Sequence, residues 1–262
     1  MDSTIILETN RLRKDFGGLV AVADVSIKVR QGTSHSIIGP NGAGKTTFFN
    51  LLSGVFKPTG GTIYFKGRDI TALPAYQRSH LGIGRSFQIT NIFPNLTVLE
   101  NVRLAAQSRG RDNFKLLSDF RAFRRYQERA LEILELVGLR GKELTVAHAL
   151  PHGDKRKLEI GILLATEPEL LLLDEPTAGM SQEEVPGIMD VIGKIKASGG
   201  KTIMLVEHKM EIIMRASDVV TVMHLGSVIA EGTPAQIASD EAVQMAYLGG
   251  THTHWGWRAH QP

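Results

Sequence analysis

Residues 39–47 read Gly39-Pro40-Asn41-Gly42-Ala43-Gly44-Lys45-Thr46-Thr47, which matches the pattern G-x-x-x-x-G-K-[ST]. The residues before this stretch, 33–38, end in two isoleucines and predict a buried strand. The residues after it, 47–53, are apolar and favour a helix that Gly54 can end. Strand, glycine-rich loop and helix therefore follow one another in the order that a phosphate-binding loop requires.

Each residue type in this loop has a physical role in binding phosphate. The glycines allow backbone N–H groups to converge on an anion, and the N-terminus of the following helix adds partial positive charge. Lys45 can reach the β- and γ-phosphates of a nucleotide, and the hydroxyl of Thr46 can bind Mg²⁺. We therefore expect all of residues 39–47 to contact the nucleotide. The alternative, a glycine-rich turn with a chance lysine, is disfavoured by the flanking strand and helix.

The composition is that of an ordinary globular protein and excludes several kinds of site. Of 262 residues, 42% are hydrophobic and 22% are charged. There is no cysteine, which excludes disulfides and thiolate metal sites. The formal net charge of +3 is too small to indicate nucleic acid as a partner. The N-terminus lacks a signal-peptide pattern, and Glu167 and Glu169 interrupt the longest apolar run, so we expect no membrane span.

The order of apolar patterns along the chain predicts an α/β fold. Residues 5–29 alternate and predict two strands joined by a turn, and the chain up to about residue 85 is predicted to form a β-rich layer. Residues 90–165 have a helical pattern, and from residue 170 onward strand and helix patterns alternate. The elements predicted in these later parts are helices at 98–108, 120–137, 183–197, 210–216 and 234–248 and strands at 170–173, 201–206, 218–225 and 227–231.

Two acids follow a continuous apolar run, Leu170–Leu173, that predicts a strand covered on both faces. Asp174 then lies at the carboxyl end of that strand, where open α/β sheets bind their ligands. This position suits an aspartate that holds Mg²⁺ directly or through water. Glu175 can orient or deprotonate an attacking water. The alternative is an acidic turn after a core strand, which is less compatible with the phosphate loop earlier in the chain.

In this order the motifs resemble the nucleotide-binding domain of ABC transporters, from about Ile5 to Gly249. The resemblance implies an ABC-type P-loop ATPase with a RecA-like core, an antiparallel β subdomain and a helical subdomain. It places one ATPase domain at 1–249, with the helical subdomain at about 90–165, and leaves 250–262 as a flexible tail. The implied cofactors are ATP and Mg²⁺, and the implied reaction is hydrolysis of ATP to ADP and phosphate.

The resemblance also assigns roles to single residues. Phe16 matches an aromatic that stacks on adenine, and His208 matches a histidine that contacts the γ-phosphate. Gln88 matches a glutamine at the entry to the helical subdomain, near Mg²⁺ and the attacking water. The predicted catalytic residues are therefore Glu175, His208, Gln88 and Lys45, and the predicted Mg²⁺ ligands are Thr46, Gln88 and Asp174.

The family's signature segment, L-S-G-G-Q, is altered in this chain. It reads Leu150-Pro151-His152-Gly153-Asp154, and the segment is expected to contact ATP bound to a second cassette. Pro151 replaces the serine and lacks both a hydroxyl and an N–H, whereas Gly153 and the next helix can still offer backbone donors. Asp154 adds a negative charge near the expected anion. Ser181 stands after the Ala178-Gly179-Met180 run, where the family places an aspartate.

Within the family, several segments are similar to the ATPases of branched-chain amino acid importers. This resemblance implies a second ABC ATPase subunit as partner, identical or related, two membrane permeases and a substrate-binding protein, and no nucleic acid. It implies a peripheral position on the cytoplasmic face of a bacterial or archaeal membrane, with residues 88–102 docking the permeases. The alternatives are an importer of urea or short amides, a lipid or drug exporter, and, in another class, a soluble ABC-type regulatory ATPase. The similar segments are Phe16–Leu19, Gly60–Ile63, Arg85–Gln88, Asn95–Val102, Ala178–Met180 and Tyr247–Gly249.

Overall fold

Two β-sheets and a layer of helices make up the part of the chain that the computed structural model describes, which comprises residues 4–86, 92–110 and 120–248. The strands are β1 (Ile5–Phe16), β2 (Leu19–Arg30), β3 (Ser34–Ile38), β4 (Gly60–Phe65), β5 (Arg68–Asp69), β6 (Ile83–Arg85), β7 (Leu170–Asp174), β8 (Thr202–Val206), β9 (Val219–His224) and β10 (Ser227–Gly232). The helices are α1 (Lys45–Leu52), α2 (Ala75–Leu81), α3 (Val98–Ser108), α4 (Phe120–Leu136), α5 (His152–Ala165), α6 (Val185–Ala197), α7 (Met210–Ala216), α8 (Pro234–Ala238) and α9 (Glu241–Leu248).

The larger sheet has six strands in the order β10-β9-β3-β8-β7-β6 within the described residues. Strands β6, β7, β8, β3 and β9 are parallel to one another, and β10 closes the edge as an antiparallel hairpin with β9. All five residues of β7 and all five of β8 are buried, as expected for parallel strands covered on both faces. The carboxyl ends of β3, β8 and β7 consequently lie side by side at one edge.

The smaller sheet is antiparallel, with the order β2-β1-β4-β5. Helix α1 lies between the two sheets, because its fully buried Phe48, Phe49, Leu51 and Leu52 share one core cluster with side chains from β1, β2, β4 and β7. Burying each such side chain contributes about 2 kcal/mol to the free energy of unfolding. The helix that follows the phosphate loop is therefore held from both sides.

A second core cluster joins the helical layer to the larger sheet. Helices α3, α4 and α5 pack on one another, and the cluster continues through α6 to β7 and β8. Helix α3 starts at Val98, as the sequence predicts. The Thr97 side chain accepts the N–H of Glu100 at 3.2 Å and so caps the start of this helix. No helix of the described part combines the length and the apolar character needed to cross a bilayer.

The α/β fold class is confirmed, and two local predictions are wrong. The segment predicted as β-rich contains helix α2, and the single helix predicted at 234–248 is two helices. Asp240 causes the break, because its carboxylate accepts the N–H groups of Ala242 at 2.8 Å and Val243 at 3.1 Å and so caps a new helix. Thr233 and Gln236 form a capping box at the start of the first.

Helix α2 is attached to the end of α1 by a buried arginine. The Arg78 guanidinium donates to the carbonyls of Leu51 at 2.6 Å and Leu52 at 2.9 Å, and also to those of Thr71 and Leu73. Carbonyls at a helix C-terminus lack partners within the helix, so a cation there satisfies them and complements the helix dipole. Burial lowers the pKa of Arg78 to about 10, and the guanidinium remains charged at neutral pH.

Strand β3 contains a buried histidine, His35. His35 is 1% exposed, its Nε2 lies 2.7 Å from Thr221 Oγ1, and the Thr221 hydroxyl donates to Glu231 at 2.7 Å. Because the hydroxyl proton points to the carboxylate, the His35 Nε2 donates to the Thr221 oxygen. Burial lowers the pKa of His35 to about 4, although the Glu231 carboxylate opposes this shift.

This histidine should make the protein less stable at mildly acidic pH. The unfolded chain binds a proton at His35 near its ordinary pKa of 6.5, whereas the folded chain does so only near 4. Stability from the neutral imidazole is therefore complete above about pH 6.5 and is lost as the pH falls towards 4. Between about pH 7.5 and pH 5 the loss is about 2 kcal/mol.

The measurement is urea unfolding at these two pH values, for the natural chain and for His35→Gln. Glutamine keeps a side-chain donor but does not titrate. Between the two pH values the free energy of unfolding should therefore fall by about 2 kcal/mol less in the variant than in the natural chain, whatever the stability of the variant at neutral pH. The same loss of stability in both proteins would contradict the assignment.

Candidate nucleotide-binding site

Three neighbouring parallel strands place the predicted site residues at one edge of the larger sheet. Strand β3 leads into the loop 39–44, β7 ends at Asp174, and β8 is followed by Glu207 and His208. Because β8 lies between β3 and β7, the acids and the histidine lie beside the glycine-rich loop. This is the edge at which open α/β sheets bind ligands.

The path of the glycine-rich loop depends on two glycines with no space for a side chain. Gly44 has a φ of +95°, and a Cβ atom there would lie 2.3 Å from the carbonyl oxygen of Ala21 in β2. A Cβ atom at Gly39 would lie 2.1 Å from the carbonyl oxygen of Met223 in β9. The loop is thus pressed against both sheets. Within it Ala43 is buried, and the exposed positions are Asn41, Gly42 and Thr46.

Lys45 starts α1 and is 6% exposed. Its ammonium donates to the carbonyls of Gly39 at 2.7 Å and Pro40 at 3.0 Å, so it lies inside the curve of the loop. Burial lowers the pKa of Lys45, and the carboxylates of Glu175 and Asp174 oppose this shift. A cation at this place, together with the N–H groups at the start of α1, makes the loop suited to an anion.

Asp174 is 2% exposed, and its two oxygens have different surroundings. Its Oδ2 accepts a hydrogen bond from Arg85 at 3.0 Å, whereas the buried Oδ1 has no hydrogen-bond partner among the described residues. Burial raises the pKa of Asp174, and the charge and hydrogen bond of Arg85 act against this. An orphaned buried carboxylate oxygen beside a phosphate loop fits a cation ligand.

A divalent cation at this site would need ligands beyond protein carboxylates. The described part of the chain contains no group of three or more His, Cys, Asp or Glu residues that could hold a metal ion. Asp174, the exposed hydroxyl of Thr46 and the phosphates of a nucleotide together form the oxygen donor set that Mg²⁺ prefers. The residues present therefore fit Mg²⁺ that arrives with a nucleotide.

Glu175 and His208 form a hydrogen-bonded pair at the opening of the site. The His208 Nε2 lies 2.7 Å from Glu175 Oε1, and both side chains keep access to solvent. Glu175 has a φ of +48°, a left-handed conformation that is uncommon for residues other than glycine. Its N–H donates to the Val206 carbonyl at 2.9 Å, which holds this backbone in place. The pair can orient a water molecule and accept its proton.

Glu207 is a part of the site that the sequence analysis missed. It is buried, and its Oε1 accepts the N–H of Thr177 at 3.1 Å and the Thr177 hydroxyl at 2.6 Å. Its Oε2 accepts the N–H of His208 at 3.2 Å. This side chain joins the segments that follow β7 and β8, and so it supports both members of the Glu175–His208 pair. The only sequence signal was an acid directly after a predicted buried strand.

Phe16 lies at the end of β1, beside the turn into β2, and is 43% exposed. One edge contact, to Phe56, fixes the ring, with 5.4 Å between ring centroids. The Lys14 ammonium lies 5.0 Å from the Phe16 centroid. The ring therefore has a supported orientation and enough exposed surface to stack on a flat aromatic ligand.

The altered signature segment forms the start of α5, with Pro151 as its N-cap residue and Gly153 buried in its first turn. The Pro151 side chain cannot cap the helix. The carboxylate of Glu184, which is distant in the chain, caps it instead by accepting the Gly153 N–H at 2.9 Å, and it also accepts the Ser181 N–H at 3.1 Å. These hydrogen bonds lower the pKa of Glu184. Nothing in the local sequence pattern joins residues 153 and 184, so this role of Glu184 is visible only in the folded chain.

The negative charge of Asp154 is paired inside the chain. Its carboxylate contacts the ammonium of Lys142 and lies 3.4 Å from that of Lys157. The charge that the sequence analysis placed near an incoming anion is therefore reduced. Across the described ranges, no hydrogen bond or ion pair joins Leu150–Asp154 to the loop 39–47. Gln88 and the tail 250–262 lie outside the described residues.

Comparisons with known proteins give the same family throughout. A family model described as ABC transporter matches residues 22–178, and one described as Branched-chain amino acid ATP-binding cassette transporter matches residues 227–253. The chain is 41% identical over 249 residues to the high-affinity branched-chain amino acid transport ATP-binding protein LivG of Salmonella typhimurium. That alignment covers 93% of this chain and 98% of the relative.

Solved structures agree with the fold and with a nucleotide ligand. The chain resembles the ADP conformation of an ATP-binding cassette of an ABC transporter, with a TM-score of 0.80, 32% identity, and coverage of 94% of this chain and 99% of that one. It also resembles a dimeric cassette in a post-hydrolysis state bound to ADP and Pi, with a TM-score of 0.75, 26% identity, and coverage of 87% and 99%. The chain therefore belongs to the ABC transporter family, and it is an ATP-binding cassette whose activity is ATP hydrolysis.

Proposed function

We propose that this chain is the ATP-hydrolysing subunit of a branched-chain amino acid importer, and that separate permease chains form the pathway. The observation that carries this proposal is the 41% identity to LivG across 98% of its length. The second family model, which covers the closing hairpin and the C-terminal helices at 227–253, adds support from a different part of the chain.

In the proposed mechanism, each site residue has a separate role in ATP binding or hydrolysis. Phe16 stacks on adenine, and the loop 39–47 with Lys45 binds the phosphates. Thr46, Asp174 and Gln88 hold Mg²⁺, which neutralises charge on the β- and γ-phosphates when it is bound. Glu175 accepts the proton of the attacking water, and His208 keeps the Glu175 carboxylate oriented through their 2.7 Å contact.

The partners follow from the same proposal. A second cassette supplies its signature segment to the bound ATP, and this chain offers Leu150–Asp154 in return; the likeness to a cassette solved as a dimer supports this pairing. Two permeases dock at residues 88–102 on the cytoplasmic face of a bacterial or archaeal membrane, and a binding protein delivers the substrate outside. In the described part of this surface, Phe93 is 58% exposed and is flanked by exposed Pro94 and Asn95.

The test is transport by the complete complex. The chain is co-expressed with two permeases, a binding protein and a second ATPase of the branched-chain amino acid importer type from the same genome, and the purified complex is placed in lipid vesicles with ATP inside. We expect ATP-dependent uptake of radiolabelled leucine that Glu175→Gln abolishes. Uptake of urea or acetamide without uptake of leucine would overturn the substrate assignment. ATP hydrolysis by the chain with no associated permease would favour the soluble regulatory alternative.

A further inference from the structure

Arg85 occupies a central position that the proposed mechanism does not use. It is the last residue of β6, which pairs with β7 in parallel, so that Arg85 is in register with Leu172, two residues before Asp174. Its side chain is 8% exposed and that of Asp174 is 1% exposed, so the two charges meet away from water. Removal of either partner of such a pair leaves the other charge buried and uncompensated.

The guanidinium of Arg85 joins two parts of the nucleotide site. Its Nη2 donates to Asp174 Oδ2 at 3.0 Å. Its Nη1 donates to Asn50 Oδ1 at 2.6 Å and to Ser53 Oγ at 2.8 Å. Asn50 lies in α1, Ser53 is its C-cap, and the first turn of the same helix carries Lys45 and Thr46. The Arg85 guanidinium therefore links Asp174, at the end of β7, to helix α1 through hydrogen bonds to both.

The hydrogen bond from Arg85 makes the two carboxylate oxygens of Asp174 different. Arg85 takes Oδ2, and the Asp174 N–H donates to Ser86 Oγ at 3.2 Å, so that both the backbone and one oxygen are held. The oxygen that is left, Oδ1, is buried and has no hydrogen-bond partner within the described ranges. An oxygen in this state has a defined direction and no competing donor, which suits it to a cation.

We propose that Arg85 is a positioning residue for Mg²⁺: it holds Oδ2 of Asp174 so that Oδ1 is the oxygen available to the metal carried by the nucleotide. This inference rests on the proposed role of Asp174. Arg85 also repels a cation, but loss of an outer partner of a metal ligand typically lowers metal affinity by about 10- to 100-fold. The orientation therefore outweighs the repulsion.

The experiment measures Mg²⁺ binding without turnover. In the full-length Glu175→Gln chain, a fluorescent ATP analogue at fixed concentration is titrated with Mg²⁺, and its affinity is also measured in EDTA. We expect Arg85→Gln to raise the half-saturating Mg²⁺ concentration by about 10-fold and to change the affinity in EDTA by less than about twofold. Arg85→Lys keeps the charge without the planar fork and should show a similar rise.

Two further variants separate orientation from stability. Arg78→Lys weakens the other arginine that binds the end of α1, without touching Asp174, and should lower the thermal midpoint while leaving the Mg²⁺ requirement unchanged. Asn50→Ala removes one anchor of Arg85 and keeps its bond to Asp174, so that a smaller rise, about threefold, is expected.

Three outcomes would overturn the inference. The first is an unchanged or lower Mg²⁺ requirement in Arg85→Gln, and the second is full restoration by Arg85→Lys, since charge alone would then suffice. The third is an equal rise in Arg78→Lys, which would assign the effect to α1. Failure of the proposed role of Asp174 looks different, because the parent chain would then bind ATP without any dependence on Mg²⁺, whereas failure of the importer assignment appears only in the transport assay.

Discussion

Replacement of Glu175 by glutamine is expected to lower the steady-state ATPase rate by about 100-fold or more, because general-base catalysis contributes about 10²- to 10⁴-fold. Glutamine has the size of glutamate and can keep a hydrogen bond to His208, now 2.7 Å from Oε1. It cannot accept the proton of water. Since Glu175 lies beside the phosphate loop rather than inside it, ATP affinity should change by less than about twofold.

The measurement pairs phosphate release with calorimetric titration of ATP. Glu132→Gln is a suitable control, because Glu132 is an exposed acid of α4 that pairs only with Arg129 among the residues described here. The control should hydrolyse ATP at the rate of the natural chain. An ATPase rate in Glu175→Gln equal to that of the control would remove Glu175 from the role of base.

Replacement of Lys45 by alanine should weaken nucleotide binding by about 10- to 100-fold. Hydrogen bonds to charged groups contribute about 1.5–3 kcal/mol each, and each 1.4 kcal/mol is a factor of ten in affinity. The 6% exposure of Lys45 means that its ammonium acts where water screens little. The variant also deprives the carbonyls of Gly39 and Pro40 of their donor, so some loss of thermal stability accompanies the loss of affinity.

Calorimetric titration with ATP and with ADP measures the affinity of the variant, and circular dichroism measures its thermal stability. Lys28→Ala removes a lysine of the same charge from an exposed ion pair with Glu8, and it should bind both nucleotides normally. If Lys45→Ala is folded, as judged by circular dichroism, and binds ATP as tightly as Lys28→Ala does, Lys45 has no role at the phosphates.

The sequence predicted those parts of the fold and site that local patterns encode. The loop 39–47, the strand ending at Asp174 and the helix at 98–108 each carry their signal within a few residues, and the structure has elements at these places. The ABC family and the α/β fold were predicted from the order of such segments, and both are confirmed. The residue roles stay predictions, and the variants above test those of Glu175 and Lys45.

The missed residues act through partners that are distant in the chain. Arg85 meets Asn50 and Asp174, Glu207 meets Thr177, and Glu184 meets Gly153. No periodicity or spacing connects such pairs, since only the folded sheet brings them together. The break between α8 and α9 was missed for another reason: Asp240 forms a cap inside a segment whose apolar pattern continues through it.

Helix α1 has a consequence for the entropy of nucleotide binding. It is packed between two sheets, and Arg78 binds its terminal carbonyls. Helices packed into a core in this way are typically among the last elements of a fold to open. The N–H groups at its start are therefore ordered before any ligand arrives. Binding of the phosphates then requires little further ordering of the backbone, and more of the contact energy remains as affinity.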